Sequence, residues 1–182
     1  MQQSFGTIEL RNSTSASNNF IRLVDGTIGL GWHHCAATSD FLGEFFALQR
    51  MPNSDQYIEV RHSIGYLVNE LLENAVKFRQ PGDIVIESSL EGGRFEIRVA
   101  NRVSADVAER FQKTLEDMTS RDPGELLIER LEANAADSSS TSSGLGILTL
   151  MNDYEAEMRW VFRLADDGTG VELETAAALN LF

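Results

Sequence analysis

The chain has 182 residues, of which 42% are hydrophobic and 24% are charged, and its formal net charge at pH 7 is −13. These proportions are typical of a soluble globular protein that can bury a core, and the length favours one domain over 1–182. The acidic balance argues against nucleic acid and anionic membrane surfaces as partners, since both repel a negatively charged protein. Within the domain we expect strands and a short helix over 1–55, followed by a motif-bearing core over 56–180.

The cysteine content and the N-terminal sequence indicate the compartment. Cys35 is the only cysteine, which rules out an intrachain disulfide and suits a reducing environment. The first residues, MQQSFGTIEL, have neither a basic start nor an apolar run, so they do not form a secretory signal. No apolar stretch approaches the length of a membrane span. We therefore expect a cytoplasmic protein.

Alternating apolar residues and turn-forming residues predict three strands and a short helix in the first quarter of the chain. The predicted strands cover 5–10, 20–24 and 27–32, with a Ser- and Asn-rich loop over 12–19. Asp40 is the predicted N-cap of a helix over 41–48. The neighbouring residues His33, His34 and Cys35 point in different directions on any regular element, which argues against a zinc site.

The segment NELLENAVKF at 69–78, with the run that leads into it from Ser63, predicts the helix around which the chain is organised. At about 100° per residue, one apolar stripe forms along this helix. Its members are Ile64, Val68, Leu71, Ala75 and Phe78. A polar stripe of Glu70, Asn74 and Lys77 lies only about 100° from the apolar one. A ligand at the edge of the core would therefore contact both stripes.

Glu70 and Asn74 stand over each other, because side chains one turn apart share a helix face. The Glu70 carboxylate can accept a proton or orient a hydroxyl group, and the Asn74 amide oxygen is a hard ligand suited to Mg²⁺. The alternative is an ordinary solvated helix face, on which Glu, Asn and Lys are common. The rest of the chain has to decide between the two interpretations.

A hairpin and two helices are predicted after the central helix. Strands cover 83–90 and 94–101, with a tight turn between them and Asn101 at the end of the second strand. Ser104 caps a predicted helix over 105–118, and Asp122 and Pro123 open another that extends to 136. The sequence DSSSTSS at 137–143 is too small and polar to pack, which predicts a mobile loop.

The loop leads directly into GLGILTLM at 144–151, which predicts an apolar helix with glycines at its start. Gly144 and Gly146 would let the backbone approach an anion, whose charge is favoured by free N–H groups and by the helix dipole. A flexible segment before such a site can close over a bound phosphate chain. The alternative is a plain loop-to-helix junction with Ser143 as N-cap. Two further strands are predicted over 155–164 and 170–179.

The order of these pieces resembles the GHKL superfamily, whose members share the Bergerat ATP-binding fold. The resemblance rests on NELLENAVKF in a helix, a hairpin ending in a polar residue, a helical insert, a Ser-rich loop and SGLGI at a helix start, and it covers 58–179. It implies an α/β fold, namely a two-layer α/β sandwich with a mixed, mostly antiparallel sheet and helices on one face. Within the superfamily the chain looks most like the small anti-sigma-factor serine kinases and the related regulators of STAS-domain proteins.

The resemblance implies a role for each motif residue. Glu70 would be the general base, Asn74 the Mg²⁺ ligand and Lys77 a neighbour of the ATP phosphates. The lid and phosphate loop would contain Ser143, Gly144, Leu145 and Gly146. The implied cofactors are ATP and Mg²⁺, and the implied partner is a STAS-domain protein. The oligomeric state stays open, with a homodimer as one option.

One part of the family pattern is absent. After its hairpin the family carries Asp-x-Gly-x-Gly, whose aspartate accepts the adenine amino proton, whereas this chain has Asn-Arg-Val-Ser-Ala over 101–105. Asn101 can still offer its carbonyl oxygen to adenine, but it also brings an NH₂ group and carries no charge. Val103 and Ala105 add bulk where the family keeps the backbone bare. Two functions remain: a MgATP-dependent protein serine/threonine kinase, or a non-catalytic module that binds a partner protein.

Overall fold

The structure is a computed structural model of the chain, and it describes residues 2–8, 18–26, 29–49, 55–136, 144–166 and 168–181. These residues form six strands and five helices. The strands are β1 (Gln2–Gly6), β2 (Asn19–Leu23), β3 (Ile84–Glu91), β4 (Arg94–Val103), β5 (Glu157–Leu164) and β6 (Val171–Asn180). The helices are α1 (Trp32–Leu48), α2 (Asp55–Phe78), α3 (Ala105–Ser120), α4 (Pro123–Ala136) and α5 (Leu145–Asp153).

The strands join one sheet in the order β1-β5-β6-β4-β3-β2. Each of its pairings is antiparallel. The predicted α/β class is therefore confirmed, whereas the predicted mixed sheet is wrong for the part of the chain that the structure describes. The physical reason lies in the connections: β3–β4 and β5–β6 are hairpins, which are antiparallel, and the two hairpins meet through β4 and β6 in opposite directions.

The helices cover one face of the sheet. In β4, Phe95, Ile97 and Val99 are buried, and they belong to one apolar cluster that includes residues from all five helices. The alternate positions of the strands point to the opposite face, where Arg98 pairs with Glu87 at 3.4 Å. One helical layer on one sheet face is the arrangement of a two-layer α/β sandwich.

Helix α2 is the centre of the helical layer. It begins at Asp55 rather than at the predicted Ser63, and it ends at Phe78 as predicted. The predicted apolar stripe is confirmed. Its first four members, Ile64, Val68, Leu71 and Ala75, are each at most 6% exposed. The polar stripe is therefore held at the edge of a well-packed core, in a fixed orientation toward the sheet.

Two predictions in the first quarter are wrong. The described part of the predicted strand over 27–32 is not a strand: 29–31 have no regular structure, and Trp32 begins α1. Asp40 lies inside α1 and is not its N-cap, which is Gly31. The predicted short helix is the second half of this longer one. Packing against α2 buries Leu42 and the other α1 residues on the same side of that helix. This tertiary contact outweighs the strand-like pattern of the local sequence.

The other predicted elements are confirmed to within a few residues, apart from β1, which lies earlier than predicted and ends at Gly6. The predicted cap of α3 is formed, since the Ser104 hydroxyl accepts a hydrogen bond from the Val107 N–H at 3.3 Å. The predicted loop over 137–143, and all but the last two residues of the loop over 12–19, lie outside the described residues. No helix in the described ranges is both long and apolar enough to cross a membrane.

Candidate functional site

A cavity of about 310 Å³ lies between α2, α3 and the covered face of the sheet. Its lining is contributed by α2, α3, β4, β5, β6 and the start of α5, and most of it is apolar. The polar lining residues with hydrogen-bonding or charged side chains are Asn74, Asn101, Arg110, Thr114, Trp160 and Thr175. None of the lining residues in the described ranges carries a carboxylate. An apolar pocket of this size with a few polar groups is typical of a small-molecule site.

Asn101 lies on the floor of the cavity, where β4 pairs with β6. The residue is only 7% exposed, and its Nδ2 atom is buried without a hydrogen-bond partner among the described residues. Buried polar groups in native proteins nearly always have a partner, because an unsatisfied one costs free energy. The Nδ2 atom is not accessible from the empty cavity, so a ligand could accept its hydrogen bond only after the side chain turns. β4 continues past Asn101 to Val103, so the residue lies within the strand rather than at its predicted end.

Asn74 also lines the cavity, on the α2 side. Its Nδ2 donates to the backbone carbonyl of Glu70 at 2.8 Å, which leaves the amide oxygen as the atom available to a cation. No group of three or more His, Cys, Asp or Glu residues in the described ranges could hold a metal ion. Mg²⁺ usually keeps several waters and is bound through one or two carboxylates together with phosphate oxygens. The Asn74 amide oxygen is a hard but uncharged ligand, so a Mg²⁺ ion held there would depend on the phosphates of a ligand for its negative charge.

Glu70 lies one turn from Asn74 but does not line the cavity. Its carboxylate lies against Gly146 at the start of α5, so that a Cβ atom at position 146 would overlap with it. Burial raises the pKa of Glu70 above its ordinary value, and the nearby charge of Glu73 raises that pKa further. The Glu70 carboxyl group therefore has a raised pKa and lies beside the first turn of α5. Such a group is suited to exchange a proton with a ligand whose anionic part is bound at that turn.

The remaining predicted residues differ in how they relate to the cavity. Lys77 is exposed, and its Nζ atom lies 5.1 Å from the ring centre of Phe78, which lines the cavity. Gly144 lines the cavity and has a φ of 98°, a backbone conformation that favours glycine. Leu145 and Gly146 open α5 without lining the cavity, and Ser143 lies outside the described residues.

Sequence analysis missed two cations of the described site: Arg110 of α3, which lines the cavity, and Arg130. The guanidinium group of Arg130, on α4, lies directly against Gly144. It is also 3.9 Å from the carboxylate of Asp117. No local pattern in α4 signals such a role, because the contact depends on how α4 packs against α5. Trp160 and Thr175 were missed for a similar reason, since only the strand order brings them beside Asn101.

The structure thus brings Asn74, Asn101 and Gly144 into one cavity, from three separate segments of the chain. Fold and site together define an α/β protein with an antiparallel sheet and a ligand-sized apolar pocket under its helices. No protein-family model matches the chain, and no characterised protein is significantly similar to it in sequence. Function is therefore inferred from the cavity and from the residues around it.

Proposed function

We propose that the chain is a GHKL-type ATP-binding domain with the Bergerat fold, and that it acts as a regulatory protein serine/threonine kinase of the anti-sigma-factor type. Its substrate would be a serine or threonine of a STAS-domain protein. The observation that carries this proposal is the meeting of Asn74, Asn101 and Gly144 in one cavity. Asn74 and Gly144 belong to the motifs that the family uses for metal and phosphates, and Asn101 stands at the position of the family's base-binding aspartate.

The cavity offers a separate place for each part of the nucleotide. The flat base would occupy the apolar interior, with Asn101 on its edge. The phosphates would lie toward Gly144, where the N–H groups at the start of α5 and the nearby Arg130 guanidinium favour negative charge. Lys77 on the rim is long enough to add a positive charge there. A base in a buried apolar pocket and phosphates at a helix N-terminus are both physically favourable placements.

Asn74 would hold Mg²⁺ through its amide oxygen. When bound, the ion neutralises phosphate charge. The hydrogen bond from Asn74 Nδ2 to the Glu70 carbonyl keeps the amide in the orientation that this role requires. The same bond couples the position of Asn74 to the turn of α2 that carries Glu70.

Glu70 would act as the general base for transfer. As the substrate hydroxyl oxygen forms a bond to the γ-phosphorus, its proton passes to the Glu70 carboxylate, and the bond from phosphorus to the β–γ bridging oxygen breaks to release ADP. Burial of Glu70 at the start of α5 holds the carboxylate near the expected phosphate end of the cavity. The raised pKa makes the carboxylate a better proton acceptor than an exposed glutamate.

A second candidate function is a non-catalytic module that binds the same kind of partner. Its support is that Glu70 contacts Gly146 instead of lining the cavity. Val103 and Ala105 also occupy positions at which the family keeps glycines. In this alternative the pocket is retained as a structural feature and phosphate transfer is lost.

Transfer of labelled phosphate from ATP to a STAS-domain protein encoded nearby separates the two candidates. Glu70→Gln keeps the shape of the side chain but cannot accept a proton, so transfer should fall by about 10²–10⁴-fold while MgATP binding stays near normal. Asn74→Ala should lose Mg²⁺-dependent binding and transfer together.

Glu73→Gln is the matched control, because Glu73 is also on α2 but accepts a hydrogen bond from Asn69 at 2.8 Å and does not line the cavity. It should reduce transfer only slightly. Equal transfer by Glu70→Gln and Glu73→Gln would contradict the assignment of a base. No transfer by the wild-type protein, combined with tight partner binding, would favour the binding module.

A further inference from the structure

Arg110 is the only charged side chain among the described residues that line the cavity. It belongs to α3, which also contributes Val107, Phe111 and Thr114 to the lining. Phe111 is half-buried, whereas Arg110 is exposed, so Arg110 lies at the mouth of the cavity and not on its floor. No sequence motif assigns a role to this residue.

One hydrogen bond fixes where the guanidinium group of Arg110 lies. Its Nε atom donates to the backbone carbonyl of Asp106, one turn earlier on α3, at 3.3 Å. That carbonyl belongs to the peptide unit that joins Asp106 to Val107, and Val107 lines the cavity. The guanidinium group is therefore held beside a lining residue, with its Nη1 and Nη2 groups at the cavity mouth.

The Nη1 and Nη2 groups of Arg110 have no acceptor, and the residue makes no ion pair, in the part of the chain that the structure describes. Lys113 on the same helix is paired with Glu109 at 2.8 Å. The chain has 28 acidic residues and only 15 basic ones, so a shortage of carboxylates does not explain the difference. Arg110 thus keeps four N–H donors and a full positive charge for a ligand.

The position of this cation defines the kind of ligand that the cavity favours. A guanidinium group is planar and binds a phosphate or a carboxylate through two parallel hydrogen bonds. The cavity behind Arg110 is mostly apolar, and no described lining residue carries a carboxylate. A matching ligand has an apolar body that fills the cavity and an anionic group close to that body. A nucleotide has this form, since its first phosphate follows directly on the base and sugar.

We propose that Arg110 is a ligand-binding residue whose Nη1 and Nη2 groups donate to the α-phosphate, the phosphate closest to the base. This inference rests on the proposed function, because it takes the cavity to be the site of a nucleotide. It also divides the phosphates between two groups of residues. Arg110 binds the first phosphate at the cavity mouth, and the start of α5 with Arg130 binds the outer two.

The test compares wild type with Arg110→Gln in calorimetry with ATP, ADP, AMP and adenosine. Mg²⁺ is present, and the weaker ligands are measured by competition with ATP. Arg110→Gln should bind ATP, ADP and AMP about tenfold more weakly than wild type, because all three carry the α-phosphate. Adenosine, which has no phosphate, should bind both proteins equally. Because Arg110 is exposed, the urea midpoint should stay unchanged.

Lys113→Gln is the matched control. Lys113 is on the same helix, and its replacement changes the net charge by the same amount, but it does not line the cavity. Lys113→Gln should bind all four ligands with the affinity of wild type. Arg110→Lys keeps the charge without the planar group, so its affinity for AMP should lie between those of wild type and Arg110→Gln.

Equal AMP affinity of wild type and Arg110→Gln, or a loss confined to ATP and ADP, would overturn the role of Arg110 and leave the proposed function intact. The same conclusion would follow if adenosine binding weakened as much as AMP binding, or if Lys113→Gln behaved like Arg110→Gln. Failure of wild type to bind any nucleotide would contradict the proposed function and this inference together.

Discussion

The carboxamide of Asn101 stands where the family resemblance expects a carboxylate, and under the proposed function this residue would govern which base the cavity accepts. Asn101→Asp replaces a donor by an acceptor at a buried position. A carboxylate accepts a hydrogen bond from the amino group of adenine but repels the exocyclic C6 carbonyl oxygen of hypoxanthine. We therefore expect the ratio of ATP affinity to ITP affinity to rise by about tenfold in Asn101→Asp, as measured by calorimetry.

The same substitution should lower the free energy of unfolding of the ligand-free protein, because it buries a charge without a partner. An unchanged ATP-to-ITP ratio would show that Asn101 does not contact the base. Asn101→Leu, which has neither donor nor acceptor, is the control: it should weaken both nucleotides without changing their ratio strongly.

Glu70 should make the stability of the protein depend on pH in a defined direction. Its pKa is raised from the ordinary 4.5 by burial and by Glu73, so the folded state binds this proton more tightly than the unfolded state. Stability therefore falls as the pH rises from the unfolded pKa to the raised folded pKa. Glu70→Gln removes this loss, and it should be more stable than wild type at neutral pH.

Urea unfolding at a series of pH values measures this difference. The stability gap between Glu70→Gln and wild type should widen as the pH rises above the ordinary pKa of 4.5 and should then stay constant. Glu73→Gln should lower the pKa of Glu70 and shift the start of the plateau to lower pH. A gap that does not change with pH would contradict the burial of the Glu70 carboxylate.

At the scale of elements, the packing of α1 on α2 depends on one glycine. A Cβ atom on Gly43 would lie 2.7 Å from the backbone oxygen of Arg61 and 3.3 Å from the nitrogen of Gly65. Backbone atoms cannot move aside without separating the helices. Gly43→Ala should therefore lower the free energy of unfolding by about 1–3 kcal/mol, in spite of the better helix propensity of alanine.

Gly65→Ala is the matched control for this prediction. A Cβ atom on Gly65 has only the Ser39 carbonyl oxygen nearby, at 3.8 Å, which is an ordinary contact. The substitution should leave stability unchanged or raise it by up to about 1 kcal/mol through helix propensity. Similar destabilisation by both variants in urea unfolding would show that the helices do not cross as closely as described.

The contrast between α1 and α2 shows which parts of the fold can be predicted from sequence. α2 has a regular apolar stripe, and its C-terminal end at Phe78 was predicted correctly. α1 was predicted to begin at 41, because the glycines before Trp32 and the polar residues after it obscure the helical period. The buried side of α1 can be identified only when its contact with α2 at Gly43 is known.

The same contrast between local sequence patterns and tertiary contacts holds for the residues of the candidate site. Asn74 and Asn101 were predicted because each belongs to a local motif, in a helix or at the end of a hairpin. Trp160 and Arg130 were missed because their places depend on the sheet order β5-β6-β4 and on the packing of α4 against α5. Because these contacts arise from tertiary structure, no residue spacing along the chain predicts them.

For the whole molecule, the two faces of the sheet differ in the residues that they carry. The face opposite the helices carries ion pairs, such as the two hydrogen bonds of 2.7 and 2.8 Å from Arg94 to the carboxylate of Glu157, and a small buried cluster of Ile8, Ala176 and Ala178. The covered face carries the apolar cluster and the cavity.

The formal net charge of −13 repels free ATP, whereas Mg²⁺ reduces the charge of the nucleotide and with it this repulsion. The proposed function requires MgATP to occupy the cavity between α2, α3 and the sheet.

Calorimetry with MgATP and two variants of α3 tests whether MgATP occupies this cavity. Thr114 lines the cavity, and Thr119 does not; both hydroxyls donate to the backbone carbonyl one turn earlier, at 3.1 and 2.7 Å. Thr114→Trp should fill the cavity, while Thr119→Trp places the same ring in solvent.

Wild type and Thr119→Trp should bind MgATP with equal dissociation constants, in the range of about 10⁻⁶–10⁻³ M, and Thr114→Trp should show no binding heat. Absence of heat from the wild-type protein with any nucleotide at millimolar concentration, or equal binding by Thr114→Trp and Thr119→Trp, would contradict the claim.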